Sequence, residues 1–95
     1  MARNVDDDLN RGFDAGNYAN AYETHDYDHA IACLSMNRSE AYIDAFTLGF
    51  FSSYEVDEMG EHADTYIAVW CGPNGRRCKE IGIALPDSLT SEENE

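Results

Sequence analysis

The sequence predicts an α+β domain, with two or three helices packed on one face of a C-terminal antiparallel β-hairpin. Two changes of pattern carry that reading. Between residues 7 and 54 the aromatic side chains recur at i,i+4, which is a helical period. Beyond residue 64 the pattern turns to alternation over Thr65–Cys71 and Lys79–Leu85, on either side of Gly72-Pro73-Asn74-Gly75. A length of 95 residues with 43% hydrophobic content supports one core. The domain is placed at 1–86, followed by a flexible acidic tail at 87–95 with little to bury.

The first helix is expected from Asp7 to Glu23, with Leu9 and Phe13, then Tyr18 and Tyr22, at helical spacing. Asp6, Asp7 and Asp8 at its start complement the helix dipole and can cap free N–H groups. Gly12 and Gly16 each cost about 1 kcal/mol relative to Ala unless a neighbour packs close against them. A second, short helix is read in residues 29–36 with Asp28 as its cap; the apolar run Ile31–Met36 also fits a buried strand. The third is expected from Arg38 to Tyr54. Asn37-Arg38-Ser39-Glu40 resembles a capping box, and Tyr42, Phe46, Phe50 and Tyr54 recur every fourth residue as the centre of the core.

Gly60 breaks the acidic stretch that follows. In the expected hairpin, Pro73 sits second in a type I turn and Gly75 forms a bulge, so that Ile67 faces Ile81 and Trp70 faces Cys78. Ile67, Val69, Ile81 and Ile83 then share the face that covers the helices. The same register points the Cys71 and Cys78 thiols to opposite faces. An odd count of three cysteines adds to the expectation that all are reduced.

Charge narrows the function. Nineteen acidic against six basic residues give a formal charge of -13. Such a body repels nucleic acid and anionic membranes and is steered toward basic surfaces. No segment approaches the length of a membrane span, and Met1-Ala2-Arg3-Asn4 before three aspartates lacks a secretory signal's apolar stretch, which points to the cytoplasm. Neither GxSxG nor a phosphate-cradling glycine loop is present, so no catalytic residues are assigned and no enzyme is expected. His25, His29, Asp26 and Asp28 lack any recognised ligand spacing, so no metal or other cofactor is assigned. Arg76, Arg77 and Lys79 form the only basic cluster.

The candidate partner-binding set is acidic: Glu40 and Asp44 at i,i+4 on the third helix, then Glu55, Asp57, Glu58, Glu61 and Asp64, with Tyr54 beside them as an aromatic anchor. Carboxylates at i,i+4 lie about 6 Å apart, close to the spacing of phosphates along a DNA strand. Either the set imitates a nucleic-acid backbone or it is a generically acidic surface serving solubility. A mimic needs its carboxylates gathered on one continuous face.

Residues 45–58, Ala45-Phe46-Thr47-Leu48-Gly49-Phe50-Phe51-Ser52-Ser53-Tyr54-Glu55-Val56-Asp57-Glu58, resemble the helix and acidic loop of small phage anti-CRISPR proteins that inhibit Cas9. The shared features are an Ala-Phe pair, a Gly followed by an aromatic, then Tyr-Glu and further acids. The resemblance implies a nucleic-acid-mimic inhibitor, phage-encoded and active in the host cytoplasm, whose Glu55, Asp57 and Glu58 occupy a basic DNA site. In that family the strands precede this helix, whereas the hairpin expected here follows it. A second, local resemblance links Tyr22, Asp26-Tyr27-Asp28, Ala30-Ile31 and Leu34 to the middle of a tetratricopeptide repeat, with Tyr18 standing where a small residue is usual. The expected partner is therefore a basic nucleic-acid-binding protein or complex, with no direct binding of nucleic acid or membrane, and the chain itself a monomer or small homo-oligomer. The alternative function is a small protein-interaction or regulatory module.

Overall fold

The computed structural model describes residues 4–34 and 38–83. It contains five α-helices: α1 (Val5–Tyr18), α2 (Tyr27–Leu34), α3 (Glu40–Phe50), α4 (Ala63–Cys71) and α5 (Pro73–Glu80). A π-helical turn, Ala19–Glu23, extends α1, and a 3-10 segment, Val56–His62, leads into α4.

The α+β expectation is overturned, because the described residues form no strand and the region read as a hairpin is α4 and α5. Thr65–Cys71 is apolar in both phases, so its apparent alternation selects no face. Burial instead follows a helical stripe, with Tyr66 and Trp70 buried at i,i+4 and Ile67 37% exposed. The expected common face of Ile67, Val69, Ile81 and Ile83 is therefore absent. Pro73 opens α5 at its first turn, where its missing N–H is no loss, rather than forming a hairpin turn. Gly75 lies inside α5 against the Val69 and Trp70 carbonyls, where a Cβ would collide with backbone. The last residues of the expected second strand and the tail at 87–95 lie outside the described residues.

The expected helices are confirmed with shifted ends. Asn4, rather than an aspartate, caps α1 by accepting the Asp6 N–H at 2.8 Å. Asp26, rather than Asp28, accepts the His29 N–H at 3.2 Å at the start of α2. Helix α3 begins and ends inside its expected range. Its cap is Ser39 rather than the expected Asn37, which lies outside the described residues; Ser39 Oγ accepts the Tyr42 N–H at 3.2 Å and donates to the buried Asp8 carboxylate at 2.9 Å. One hydroxyl thereby starts α3 and ties it to α1.

Helices α1 and α3 run parallel. Asp8 meets Ser39, Gly12 meets Tyr42 and Ala45, Gly16 meets Phe46 and Phe50, and Asn17 meets Ser52, so both chains advance in one direction. The seam is narrow because glycines line it from both sides. A Cβ on Gly12 would strike the Tyr42 carbonyl, one on Gly16 the Phe46 carbonyl, and one on Gly49 the Phe13 carbonyl. Gly12 and Gly16 are thus packing positions, and their cost in helix propensity is offset by contact. Around this seam Leu9, Ala45, Phe46, Leu48 and Phe50 are almost wholly buried.

Helix α2 makes the return crossing between α1 and α3. Tyr27 fixes it there, its ring 5.5 Å from that of Phe50 and 5.0 Å from that of Phe51. The buried Thr47 hydroxyl donates to the Ile43 carbonyl at 3.1 Å, leaving Tyr27 to donate to Thr47 Oγ1 at 2.6 Å. Burial raises the Tyr27 phenol above its usual range. Helix α4 descends along α3, with Tyr66 against Phe51 and stacked on Trp70, and α5 crosses the base.

A candidate acidic interface

The parallel pair and the descending α4 give the molecule two unlike ends. The base is formed by the starts of α1 and α3 together with α5. The opposite, distal end is formed by residues 18–28 and 52–64. All five arginines and lysines among the described residues, Arg11, Arg38, Arg76, Arg77 and Lys79, lie toward the base. Arg77 chelates Asp6 with its Nε and Nη2 at 2.9 and 2.8 Å and reaches Glu80 at 3.0 Å. Arg11 pairs with Asp7 at 3.0 Å. The Arg38 guanidinium lies 4.7 Å from the Tyr42 ring centre, and the Lys79 ammonium 4.4 Å from that of Trp70.

The sequence between Arg38 and Arg76 contains no arginine or lysine, and neither does that between Arg11 and Arg38. The distal end draws on those two intervals. It carries Glu23, Asp26, Asp28, Glu55, Asp57, Glu58, Glu61 and Asp64, all exposed. Among the described residues its only basic side chains are histidines.

The sequence-derived set divides between these ends. Glu55, Asp57, Glu58, Glu61 and Asp64 share the distal one, and Tyr54 stands at its edge, half-buried, with its hydroxyl accepting from Asn20 Nδ2 at 3.1 Å. Glu40 and Asp44 do not join them. Glu40 is in the first turn of α3, and the half-buried Asp44 accepts from Asn74 of α5 at 2.8 Å. Glu55 and Glu58 also have a structural duty. They form a capping box, in which the Glu58 carboxylate accepts the Glu55 N–H at 2.9 Å, and this shapes the 3-10 segment. Gly60 then turns the chain with φ +61° and ψ -128°, a conformation suited to glycine.

Sequence reasoning overlooked His62. Its ring lies 4.9 Å from Tyr27 and 5.9 Å from Phe51, and its Nε2 is 4.0 Å from an Asp28 oxygen and 3.8 Å from a Glu61 oxygen. No spacing rule joins Asp28 to Glu61 and His62, because the fold of α2 onto α3 brings two distant segments together. Elsewhere His29 Nε2 lies 3.8 Å from the exposed Cys33 thiol. Both border a pocket of about 290 Å³ floored by Phe46 and Ala30. All three cysteines are free, but the hairpin register that suggested this does not exist. Burial raises the Cys78 thiol to about 11, with the nearby Asp44 and Asp6 charges adding to the effect. No helix among the described residues is long and apolar enough to cross a membrane.

No protein family, characterised protein or solved structure matches the chain. Fold and surface of the described residues together define a helical domain with segregated charge.

Proposed function

We propose that the chain is an inhibitor acting by binding, in which the distal acidic end imitates nucleic acid and occupies a basic site on a nucleic-acid-binding protein or complex. One observation carries this reading: exposed carboxylates from α2, the π turn, the 3-10 segment and α4 gather at one end, while every described arginine and lysine lies toward the other. An acidic protein tuned only for solubility has no need of that separation. At the base Arg77 is engaged by Asp6 and Glu80 and Arg11 by Asp7, whereas the distal carboxylates have no described arginine or lysine among them, and their field extends about a Debye length, roughly 8 Å at physiological salt. It would steer the chain into a basic groove and speed encounter. The resemblance of residues 45–58 to anti-CRISPR inhibitors makes a Cas9–guide complex the first target to test.

The test measures DNA binding by that complex with increasing amounts of the chain. Wild type should compete with DNA and lose potency as salt rises. Changing Glu23, Asp57 and Asp64 together to Lys should abolish competition, since like charge at a basic site costs several kcal/mol. These positions are exposed and spare both the capping box and the His62 cluster. Reversing Glu92, Glu93 and Glu95 changes net charge equally and should leave competition intact. Equal loss in both variants would reduce the effect to net charge and support the generic interaction module. An unaffected Cas9 complex would remove that target, and a pull-down whose capture is abolished by DNA and by the distal reversal would then identify another.

A further inference from the structure

The distal end holds one arrangement that charge mimicry does not require. Asp28, at the start of α2, and Glu61 and His62, at the end of the 3-10 segment, each offer one donor atom, and these atoms lie within 4.8 Å of one another. We propose that Asp28, Glu61 and His62 bind a divalent transition-metal ion, with Zn²⁺ the best match. Three considerations support it.

The first is geometry. Zn²⁺ takes His nitrogen and carboxylate oxygen at about 2.0–2.2 Å, which sets neighbouring donors roughly 3–3.5 Å apart. The His62 Nε2 distances of 4.0 and 3.8 Å are close to this. The adjustment falls on the two carboxylate side chains, 73% and 81% exposed and free to rotate, while the imidazole is 23% exposed and held by Tyr27 and Phe51. A fixed nitrogen with two movable oxygens is a workable ligand set, and the open side leaves room for water.

The second is charge. Two carboxylates approach each other at an end that has no arginine or lysine among the described residues, so their repulsion favours a cation. A protonated His62 supplies one positive charge. A divalent ion supplies two and takes the imidazole neutral, as metal ligation requires.

The third is selectivity and linkage. Imidazole favours Zn²⁺, Cu²⁺ and Ni²⁺ over Ca²⁺ and Mg²⁺, which prefer all-oxygen sites. The ion would also join α2 to the 3-10 segment. Binding to the folded chain alone must then raise its melting temperature by mass action.

Calorimetric titration of the full-length reduced chain with ZnCl₂ at neutral pH, beside CaCl₂ and MgCl₂, tests the inference. A single saturable Zn²⁺ site is expected, with little response to Ca²⁺ or Mg²⁺ and a shift of the His62 ring resonances. Glu61→Gln and Asp28→Asn, both at exposed positions that leave the core alone, should each weaken binding about tenfold or more. His62→Asn should remove it. The double variant His29→Ala/Cys33→Ser takes away the competing soft ligands nearby and should bind as wild type. No saturable heat up to about 1 mM ion, where binding would be worth only ~4 kcal/mol, overturns the proposal. So does affinity that follows His29 and Cys33, or Ca²⁺ binding as tightly as Zn²⁺, which would mark a diffuse acidic cluster.

Discussion

The two ends of this domain are built on opposite electrostatic plans. At the base, Arg77 is locked onto Asp6 and Glu80, Arg11 onto Asp7, and Lys79 over Trp70. At the distal end the carboxylates of Glu23, Asp57 and Asp64 stand exposed with no arginine or lysine in their part of the chain. The base uses charge to fasten α5 to α1. The distal end uses backbone capping, aromatic packing and one glycine to hold its shape, and leaves its charge facing outward. On the proposed function, stability and recognition therefore reside in different parts of a small molecule, and each part can be altered separately.

The glycine seam joins the two ends, and breaking it should have the largest effect. Gly16→Val drives a branched side chain into the Phe46 carbonyl and the Phe50 backbone N, the latter 2.6 Å from a Cβ even in alanine. Neither group belongs to a flexible side chain. Overpacking ordinarily costs about 1–3 kcal/mol and more where backbone must move, against a total of only about 5–15 kcal/mol. Gly16→Val should lose its cooperative thermal transition by circular dichroism. Gly60 provides the contrast, because nothing lies within 4 Å of its Cβ position. Gly60→Ala should cost only the backbone strain, about 1–3 kcal/mol, and leave a folded protein with a lower melting temperature. If the two variants were equally stable, the seam would not be the joint that holds α1 against α3.

The contrast also explains what the sequence made legible. Tyr42, Phe46 and Phe50 identified α3 as central because their period is unambiguous, but the capping-box pattern put the cap at Asn37 where Ser39 holds it, and Tyr54, expected on the same face, lies beyond the helix end. Gly12 and Gly16 read as weaknesses because a glycine's value at a seam depends on a partner helix that local sequence does not name. Thr65–Cys71 misled for a different reason. Its β-branched Thr65, Ile67 and Val69 favour a strand, and only the tertiary burial of Tyr66 and Trp70 decides for a helix. Of the candidate interface, the run from Glu55 to Asp64 was visible as composition. Its separation from Glu40 and Asp44, and its meeting with Asp28, depend on the fold.

Tyr27→Phe should have the next effect, since it removes one hydrogen bond at the join between α2 and the core and keeps the ring contacts. Thr47 Oγ1 then loses the 2.6 Å donor, at about 1 kcal/mol. Denaturant unfolding should show a lower midpoint with an unchanged slope. A drop of several kcal/mol would mean that the distal end depends on this bond as heavily as on the seam.

Thiol chemistry distinguishes the regions without mutation. Cys33 and Cys71 are exposed and Cys78 is buried between α5 and α3, its thiol raised to about 11. At pH 8 iodoacetamide should modify the first two quickly and Cys78 only as the domain opens, as peptide mass mapping would show. The sign of the linkage follows from the raised value. An unfolded thiol ionises near its ordinary value of 9.0 and the native one near 11, so the contribution is complete below pH 9 and is lost as pH rises through that window. Cys78→Ala should flatten the alkaline part of the stability profile. Equal alkylation rates for all three cysteines would contradict the packing of the base.

The Asp6–Arg77 pair should give the smallest effect, because both partners are solvent-accessible and surface ion pairs contribute little. The guanidinium's hydrogen bonds hold the Asp6 carboxyl below its ordinary 3.8, and the carboxylates in turn hold Arg77 above its usual range. A depressed carboxyl stabilises the fold above its unfolded value, and that contribution disappears as pH falls through the lower native one. Arg77→Gln should therefore produce a slight loss of stability near neutrality that vanishes in acid and shrinks with added salt. The charge comparison gives this variant a second readout. Freeing Asp6 makes the base more acidic while leaving Glu23, Asp57 and Asp64 untouched, so competition with DNA should stay at the wild-type level. If Arg77→Gln altered competition as strongly as the distal reversal, net charge rather than the distal end would govern binding, and the division of labour between the two ends would fail.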